Sequence, residues 1–480
     1  MNLILTFRLL GGLLLFLAGA LLLPLPFSYY YADGAWPAFV FAALVCGGVG
    51  AALFFTCRST KEMSLREGFA IVTLGWGTFA LFGALPYLFS GAINVPLDAV
   101  FETMSGFTTT GATILADIET VPESVLFWRA LTQWLGGMGF IVLSLAILPL
   151  MGIGGMQLFK AEMPGPTADR LKPRIQDTAK LLWGIYVLLT AVLVILLLFG
   201  GMNFFDALCH AFTTLATGGF STRNASVAAY NSAYIDWVLS LFMLLAAINF
   251  SLYYLALRGR LRDFYRNEEL RIYLALVIAM IMLVMWANHG VVYTSIFDNL
   301  RYSVFQVTSI ISTTGFGTAD YVGWPATSQL LLFFAMVVGG CAGSTAGGIK
   351  VARLLLLFKH AQVQIYRLIH PRAVRLVKLG TKPVDREVMH SILGFFAVWM
   401  GVFFIATLLM AAAGLDLVSA AGSVVATLGV VGPGFGSVGP VENYTDIIPF
   451  GKTVLILCML LGRLELFTVL VLFVPSLWHK

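Results

Sequence analysis

The stretch STTGFGT at residues 312–318 decides the fold, because related strings recur at three other places in the chain. These are TTTGAT at 108–113, ATGGFST at 216–222 and VVGPGFGS at 430–437. Each string follows an apolar stretch of roughly 12 residues that is too short to cross a bilayer. We therefore expect four short helices that enter the membrane and turn back. Their N-caps are expected to be Asp98, Asp206, Asp298 and Asp416.

The composition identifies a membrane protein. The 480 residues are 59% hydrophobic and only 11% charged, whereas a water-soluble surface needs about a quarter charged residues. Long runs without Asp, Glu, Lys or Arg predict about ten spans. They lie at 9–32, 34–57, 68–97, 130–159, 181–205, 237–257, 272–297, 321–349, 391–415 and 453–478, the last interrupted by Arg463 and Glu465.

Charge placement predicts the topology. Four loops, 58–67, 158–180, 258–271 and 353–390, hold most of the 29 Lys and Arg residues, and such loops stay in the cytoplasm. The segments that contain the Gly strings alternate with them and are poor in basic residues. We therefore expect both termini in the cytoplasm, in a multi-pass protein whose first run is a membrane helix rather than a signal peptide.

The order of spans and strings repeats four times. The expected fold is an all-α polytopic membrane protein with four pseudo-symmetric helix, re-entrant loop, helix repeats around a central pore. The predicted units are an N-terminal two-helix hairpin at 1–60 and repeats at 68–157, 180–258, 271–357 and 391–476.

The Gly strings have the chemistry of a cation filter. Alignment places Gly111, Gly219, Gly315 and Gly432 in register, and glycine tolerates the backbone conformations that point successive carbonyls one way. Rings of such carbonyls can replace the hydration shell of K⁺. The expected ion-binding residues are Thr109, Thr110, Gly111, Thr217, Gly218, Gly219, Thr313, Thr314, Gly315, Val431 and Gly432.

These motifs, their spacing, the N-terminal hairpin and the basic linkers resemble the Trk/Ktr/HKT superfamily of cation transporters, and specifically its bacterial Trk pore subunits. The resemblance implies a K⁺-translocating subunit in the bacterial inner membrane, usually a homodimer, gated by a cytoplasmic nucleotide-binding ring protein. It implies K⁺ as the transported ion, without an organic cofactor. A Ser at the first filter glycine accompanies Na⁺ transport in this superfamily, so Gly111 matches the K⁺-selective pattern. Gly218, Val431 and Pro433 depart from the pattern, and the filter need not be fourfold symmetric.

Two features after the strings suggest a barrier. Arg463 lies deep in the last run, where a cation costs about 2.5–3.5 kcal/mol unless it faces a cavity or partner. It either pairs with a carboxylate on another helix or raises a barrier to cations; Glu465 is too close in sequence to be a good partner. The segment GGCAGSTAGG at 339–348 predicts a flexible gate, or else close helix packing. Its expected gate residues are Gly343, Ser344, Thr345, Ala346 and Gly347.

Other classes fit less well. A proton- or sodium-coupled secondary carrier is the alternative, but its intramembrane carboxylates are missing from these runs. No HExxH or GxSxG motif supports an enzyme, no GK[ST] follows 339–348, and the cysteines show no metal or disulfide pattern. The basic loop 353–390 suits anionic lipid or a docking regulator, and the chain shows no nucleic-acid-binding pattern.

Overall fold

The computed structural model describes residues 2–57, 65–139, 175–373, 375–380, 382–464 and 466–475. Within these ranges the protein is helical apart from short turns and one antiparallel hairpin that pairs β1 (Lys378–Leu379) with β2 (Lys382–Pro383). The N-terminal part comprises α1 (Leu3–Ala20), α2 (Leu25–Tyr31) and α3 (Trp36–Thr56). Helices α1 and α3 pack very closely, since a Cβ atom at Gly11 would lie 2.8 Å from the carbonyl oxygen of Gly50.

Four similar helical units follow. Each contains a long or broken helix, a short helix with a Gly string at its C-terminal end, and a second helix that breaks. The first has α4 (Leu65–Gly83), α5 (Leu85–Phe89), α6 (Pro96–Phe107) and α7 (Glu123–Trp134), continued by a π-helical turn at Leu135–Gly139. The second has α8 (Ile175–Phe199), α9 (Phe204–Leu215), α10 (Ala233–Ala246) and α11 (Phe250–Leu257), followed by α12 (Leu261–Arg266).

The third and fourth units have the same order. The third has α13 (Glu268–Asn288), α14 (Ile296–Ile311), α15 (Ala326–Val338) and α16 (Val351–Ile369). The fourth has α17 (Arg386–Ala412), α18 (Leu417–Leu428), α19 (Pro449–Leu464) and α20 (Leu466–Leu470). The short helices are therefore α6, α9, α14 and α18.

Within the described residues, only some of the predicted spans are single continuous helices. In the described residues six helices are long and apolar enough to cross a membrane, or up to eight if each bent pair is one span. The apolar run at 321–349 is interrupted, as the glycine density of 339–348 predicts, because α15 has only 13 residues and ends where Gly339 adopts a φ of 72°. Most of the expected span at 130–159 lies outside the described residues, as does Glu465.

One of the four expected N-caps of the short helices is confirmed and three are wrong. Asp416 is an N-cap, and its carboxylate accepts from the N–H groups of Val418 and Ser419. Asp98, Asp206 and Asp298 instead occupy the third helical position. The expectation that they are caps is wrong, because Asn203 and Ser295 cap α9 and α14, and Val95 precedes Pro96 in α6. Their charge still complements the helix dipole from the first turn.

A carboxylate near the N-terminal helices adds a hydrogen-bonded link to the first unit. Asp33, in the turn after α2, accepts from the N–H of Ser124 at 2.9 Å and from the hydroxyl of Ser28. It therefore serves the first turn of α7, where unpaired N–H groups need acceptors. Hydrogen bonds from Ser124 and Ser28 outweigh the effect of partial burial and hold the pKa of Asp33 below its usual value.

Candidate functional site

The four Gly strings share one backbone conformation. We refer to 108–113, 216–222, 312–318 and 430–437 as Gly loops 1 to 4. Each loop contains a pair of residues with positive φ, separated by one residue with an ordinary φ: Thr109 and Gly111 (56° and 82°), Thr217 and Gly219 (56° and 74°), Thr313 and Gly315 (58° and 82°), and Val430 and Gly432 (60° and 100°). Loop 4 has a third such residue, Gly436, further along. A β-branched residue with positive φ is a steric outlier, of order 1–3 kcal/mol each. The same unfavourable conformation at four equivalent places points to a functional constraint.

Backbone hydrogen bonds hold this conformation in the same way each time. In each loop, the residue directly before the glycine of the positive-φ pair donates its N–H to a carbonyl five residues earlier, in the short helix. The pairs are Thr110 with Ser105, Gly218 with Thr213, Thr314 with Ser309, and Val431 with Ala426, at 2.7–2.9 Å. The short helices therefore end in one repeated C-terminal turn, and Gly111, Gly219, Gly315 and Gly432 lie at equivalent positions.

The four loops form a closed ring. A Cβ atom on Gly111 would lie 2.1 Å from the carbonyl oxygen of Gly218, one loop onward. The same close approach joins Gly219 to Thr314 O (1.9 Å), Gly315 to Val431 O (2.1 Å), and Gly432 back to Thr110 O (2.6 Å). Only glycine fits such contacts without a backbone shift. The ring has the cyclic order 1, 2, 3, 4.

All four ring glycines also border one cavity of about 140 Å³. The cavity walls come from the segments that follow the Gly loops, and they include Arg223, Asn224, Glu442 and Tyr444. Within the described ranges, no group of three or more His, Cys, Asp and Glu side chains is placed to hold a metal ion.

A buried ion pair braces loops 1 and 2. Glu102 and Arg129 are almost fully buried, with Arg129 Nε 2.6 Å from Glu102 Oε1. The carboxylate also accepts from the N–H of Ile114, just after loop 1. The guanidinium donates to the carbonyl of Ser221 at 2.9 Å and lies over the ring of Phe220, both in loop 2. The ion pair thus connects the segment after loop 1 to loop 2.

Three contributors to the ring were missed by the sequence prediction. Val430 has the same positive φ as Thr109, Thr217 and Thr313, and its position two residues before Gly432 could have revealed it. The hydroxyl of Tyr444 donates to the carbonyl of Gly432 at 2.7 Å. The amide of Gln133 donates to the carbonyl of Gly218 at 2.7 Å. No sequence signal marks the last two, because each reaches the loop from another helix or a distant segment.

The loop at 339–348 lies against the C-terminal ends of the short helices. Thr345 Oγ1 is within hydrogen-bonding distance of the carbonyl of Leu215, the last residue of α9, at 3.0 Å. The N–H of Gly348 donates to the carbonyl of Gly429, the C-cap of α18. The N–H of Gly347 donates to the Thr313 hydroxyl in Gly loop 3 at 2.7 Å. The loop is thus in direct contact with three of the four units.

The remaining expected gate residues hold the loop to its surroundings. The carbonyl of Gly343 accepts from the N–H of Phe250, at the start of α11, and the hydroxyl of Ser344 donates to Cys341 O at 2.6 Å. The carbonyl of Ala346 accepts from the ammonium of Lys350. Glu269 Oε1 accepts from the N–H of Ala342 at 2.6 Å.

Arg463 joins the fourth unit to this loop. It lies in the last turn of α19, and its guanidinium donates to the carbonyl of Thr345 at 2.7 Å. It also donates to the carbonyls of Gly136 and Gly137 at 2.7 and 2.6 Å, in the π-helical turn after α7. The described partners of Arg463 are therefore backbone carbonyls in the first and third units. One guanidinium therefore connects three places where the second helix of a unit is interrupted: after α7, after α15 and at the end of α19.

The comparisons with known proteins agree with this architecture. The family model TrkH, described as a cation transport protein, matches residues 36–480. The chain belongs to the TrkH cation transport family. The family identifies a transport protein rather than an enzyme, as expected, and confirms the resemblance drawn from the Gly strings.

Individual relatives cover almost the whole chain. The Trk system potassium uptake protein TrkH of Escherichia coli (strain K12) is 43% identical over 98% of this chain and 99% of its own length. The Trk system potassium uptake protein TrkG of the same organism is 35% identical over 96% of both chains. The crystal structure of the potassium transporter TrkH from Vibrio parahaemolyticus covers 100% of both chains at 37% identity, with a TM-score of 0.90. This member of the TrkH family thus has the expected all-helical, four-unit membrane fold.

Proposed function

We propose that this chain is the potassium-translocating subunit of a Trk-type uptake system, with the ion path running through the ring of Gly loops. The observation that carries the proposal is the closed ring of four glycines, each packed on the carbonyl of the next loop and all bordering one cavity. The relatives named as potassium uptake proteins support K⁺ as the ion.

The proposed ion ligands are the backbone carbonyls of the predicted filter residues. The alternation of positive and ordinary φ turns successive peptide groups, and the ring brings four backbone segments of the chain together around one axis. The C-terminal ends of the short helices add about half a negative charge each near this axis. Thr109, Thr110, Gly111, Thr217, Gly218, Gly219, Thr313, Thr314, Gly315, Val431 and Gly432 are the proposed set, to which we add Val430.

The proposed barrier is the 339–348 loop locked by Arg463. The loop occupies the C-terminal side of the short helices, where an ion leaving the ring would pass. Arg463 adds a positive charge there and fixes the loop to the first unit through Gly136 and Gly137. For the loop to move out of the ion path, the hydrogen bonds of Arg463 would have to break. Gly343, Ser344, Thr345, Ala346 and Gly347 are the proposed moving residues.

Regulation is proposed to act on the basic segment after the loop. Arg372, Arg375, Lys378, Lys382 and Arg386 are exposed, whereas Arg353 is buried against Phe395 and Lys359 pairs with Glu268. Exposed cations suit anionic lipid or an acidic face of a cytoplasmic nucleotide-binding ring protein. We propose that this segment and both termini face the cytoplasm of a homodimer in the bacterial inner membrane, and that the units at 68–157, 180–258, 271–357 and 391–476 are the pore repeats.

The test is uptake in bacterial cells that lack their own potassium uptake systems. Cells expressing this chain with a Trk regulator should grow at low K⁺ and accumulate Rb⁺. Cells expressing Gly219→Val, whose side chain would collide with the Thr314 carbonyl, should not. A proton-coupled carrier would instead show uptake that follows the proton gradient at constant membrane voltage. Absence of K⁺-dependent growth despite membrane insertion would refute the proposal.

A further inference from the structure

Gly loops 1 and 3 are braced by a pair of hydroxyl groups. In loop 1 the Oγ1 atoms of Thr108 and Thr110 are 2.8 Å apart, and in loop 3 Ser312 Oγ and Thr314 Oγ1 are 2.8 Å apart. The first member of each pair caps the short helix, and the second directly precedes the ring glycine. The hydroxyl pair therefore ties the residue whose carbonyl faces the neighbouring loop to the rigid end of its helix.

Loops 2 and 4 lack such a pair. The equivalent positions are Ala216 and Gly218 in loop 2, and Gly429, directly before loop 4, and Val431 within it. Because the ring order is 1, 2, 3, 4, the loops that lie opposite each other are alike. The ring is therefore closer to twofold than to fourfold symmetry.

In loop 2 a side chain from the first unit takes the place of the hydroxyl pair. Gln133, on α7, is fully buried, and its Nε2 donates to the carbonyl of Gly218 at 2.7 Å. Its Oε1 accepts from the N–H of Phe220 at 3.1 Å. The amide therefore spans Gly219, with one hydrogen bond on each side of the ring glycine.

Gln133 also explains why residue 218 is glycine. Gly218 is not among the residues with positive φ, so its backbone would accept a side chain. A Cβ atom there would, however, lie 2.3 Å from Gln133 Cδ. The space that a threonine fills in loops 1 and 3 is thus occupied by the Gln133 amide.

We propose that Gln133 is a positioning residue that sets the ion selectivity of the ring by holding the Gly218 carbonyl. The inference rests on the proposed function. A carbonyl oxygen has two lone pairs, so Gly218 can accept from Gln133 and still face a cation. The amide fixes the direction of this carbonyl and weakens its field, both of which favour K⁺ over the smaller Na⁺.

The experiment measures Rb⁺ and Na⁺ flux into liposomes for the wild type, Gln133→Met and Gln133→Asn. Methionine keeps the volume without the amide, and asparagine keeps the amide but shortens its reach. We expect the Rb⁺/Na⁺ flux ratio to fall about three- to tenfold in both, the effect of losing one ordinary hydrogen bond. The control is Gln329→Met, because Gln329 donates to the carbonyls of Val322 and Trp324, away from the ring.

A rescue variant separates positioning from general support. The triple variant Gln133→Ala, Ala216→Ser, Gly218→Thr rebuilds in loop 2 the hydroxyl pair of loop 3, and we expect it to restore the ratio. An unchanged ratio in the Gln133 variants overturns the inference, as does an equal loss in Gln329→Met or a triple variant that is no better than Gln133→Met. A wild type without Rb⁺ preference would contradict the proposed function itself.

Discussion

Arg463 donates a hydrogen bond to the backbone carbonyl of Thr345, which fixes the last helix of the fourth unit to the loop that crosses the C-terminal side of the ring. The same guanidinium reaches Gly136 and Gly137 in the first unit. Since Thr345 in turn contacts the end of α9, a single cation is connected to all four units. Any widening on this side of the ring must therefore alter the surroundings of Arg463.

Replacing Arg463 by Ala should increase K⁺ flux. For an assumed separation of roughly 10 Å, a cation raises the barrier to another cation by about 1.7 kcal/mol at an effective dielectric constant near 20, so we expect an increase of about 10- to 20-fold. The measurement is Rb⁺ flux into liposomes at equal protein density. Arg463→Lys keeps the charge but loses the forked hydrogen bonds that hold the loop, so flux should increase less than in Arg463→Ala. Unchanged or lower flux in Arg463→Ala would reject the barrier role.

Deleting residues 341–346 should raise leak conductance in the absence of a regulator. The loop would lose its contacts with Leu215 and Phe250. Thr345→Val, which removes only the hydroxyl, should cause a smaller increase in the same direction. Thr453→Val is the control, because that hydroxyl donates to Pro449 on an exposed helix face. Single-channel or flux records showing no added leak in the deletion would mean that the loop is not a barrier.

Replacing Arg129 by Met should destabilise the protein strongly. It leaves Glu102 buried without its cation, which costs about 3–5 kcal/mol. Thermal unfolding in detergent provides the measurement. Arg223→Met breaks a pair with Asp206, but the Arg223 side chain is 39% exposed and the Asp206 carboxylate keeps a hydrogen bond from Thr222, so we expect a smaller loss than in Arg129→Met. Equal losses of stability in the two variants would show that the Glu102–Arg129 pair contributes no more to stability than the Arg223–Asp206 pair.

The pH dependence of folding stability should show how much the Asp33 carboxylate contributes. Its pKa is lowered in the folded protein, so its contribution is complete above the unfolded value near 3.9 and is lost as pH falls through the folded value. Unfolding temperatures of wild type and Asp33→Ala should differ by a constant amount between about pH 5 and 7. Below about pH 4 the difference should shrink. A difference that grows on acidification would contradict this account.

The glycines of the Gly loops could be predicted from the sequence, whereas the side chains that contact the loops from other parts of the chain could not. Positive φ and close backbone approach leave glycine as the main choice, so Gly111, Gly219 and Gly315 stand out in the printed chain. Gln133 and Tyr444 act across units, and no local pattern encodes such contacts. The expectation of caps at Asp98, Asp206 and Asp298 failed because the third helical position also favours acids.

The break after α15 shows a similar limit. Hydropathy treats 321–349 as one apolar run, although the backbone leaves the helix at Gly339 and does not resume it until Val351. The density of glycine in this run predicts a bend. It does not predict that Thr345 contacts α9 or that Arg463 reaches Thr345, because those contacts depend on the packing of three other units.

The central claim is that the ring of Gly loops selects K⁺, and competitive tracer flux tests it most directly. Liposomes containing wild type or Gly111→Ser would take up labelled Rb⁺ in the presence of rising Na⁺ or K⁺. We predict that K⁺ competes and Na⁺ does not in the wild type. In Gly111→Ser, whose Cβ would approach the Gly218 carbonyl at 2.1 Å, this preference should be lost. Equal competition by Na⁺ and K⁺ in the wild type would contradict the account.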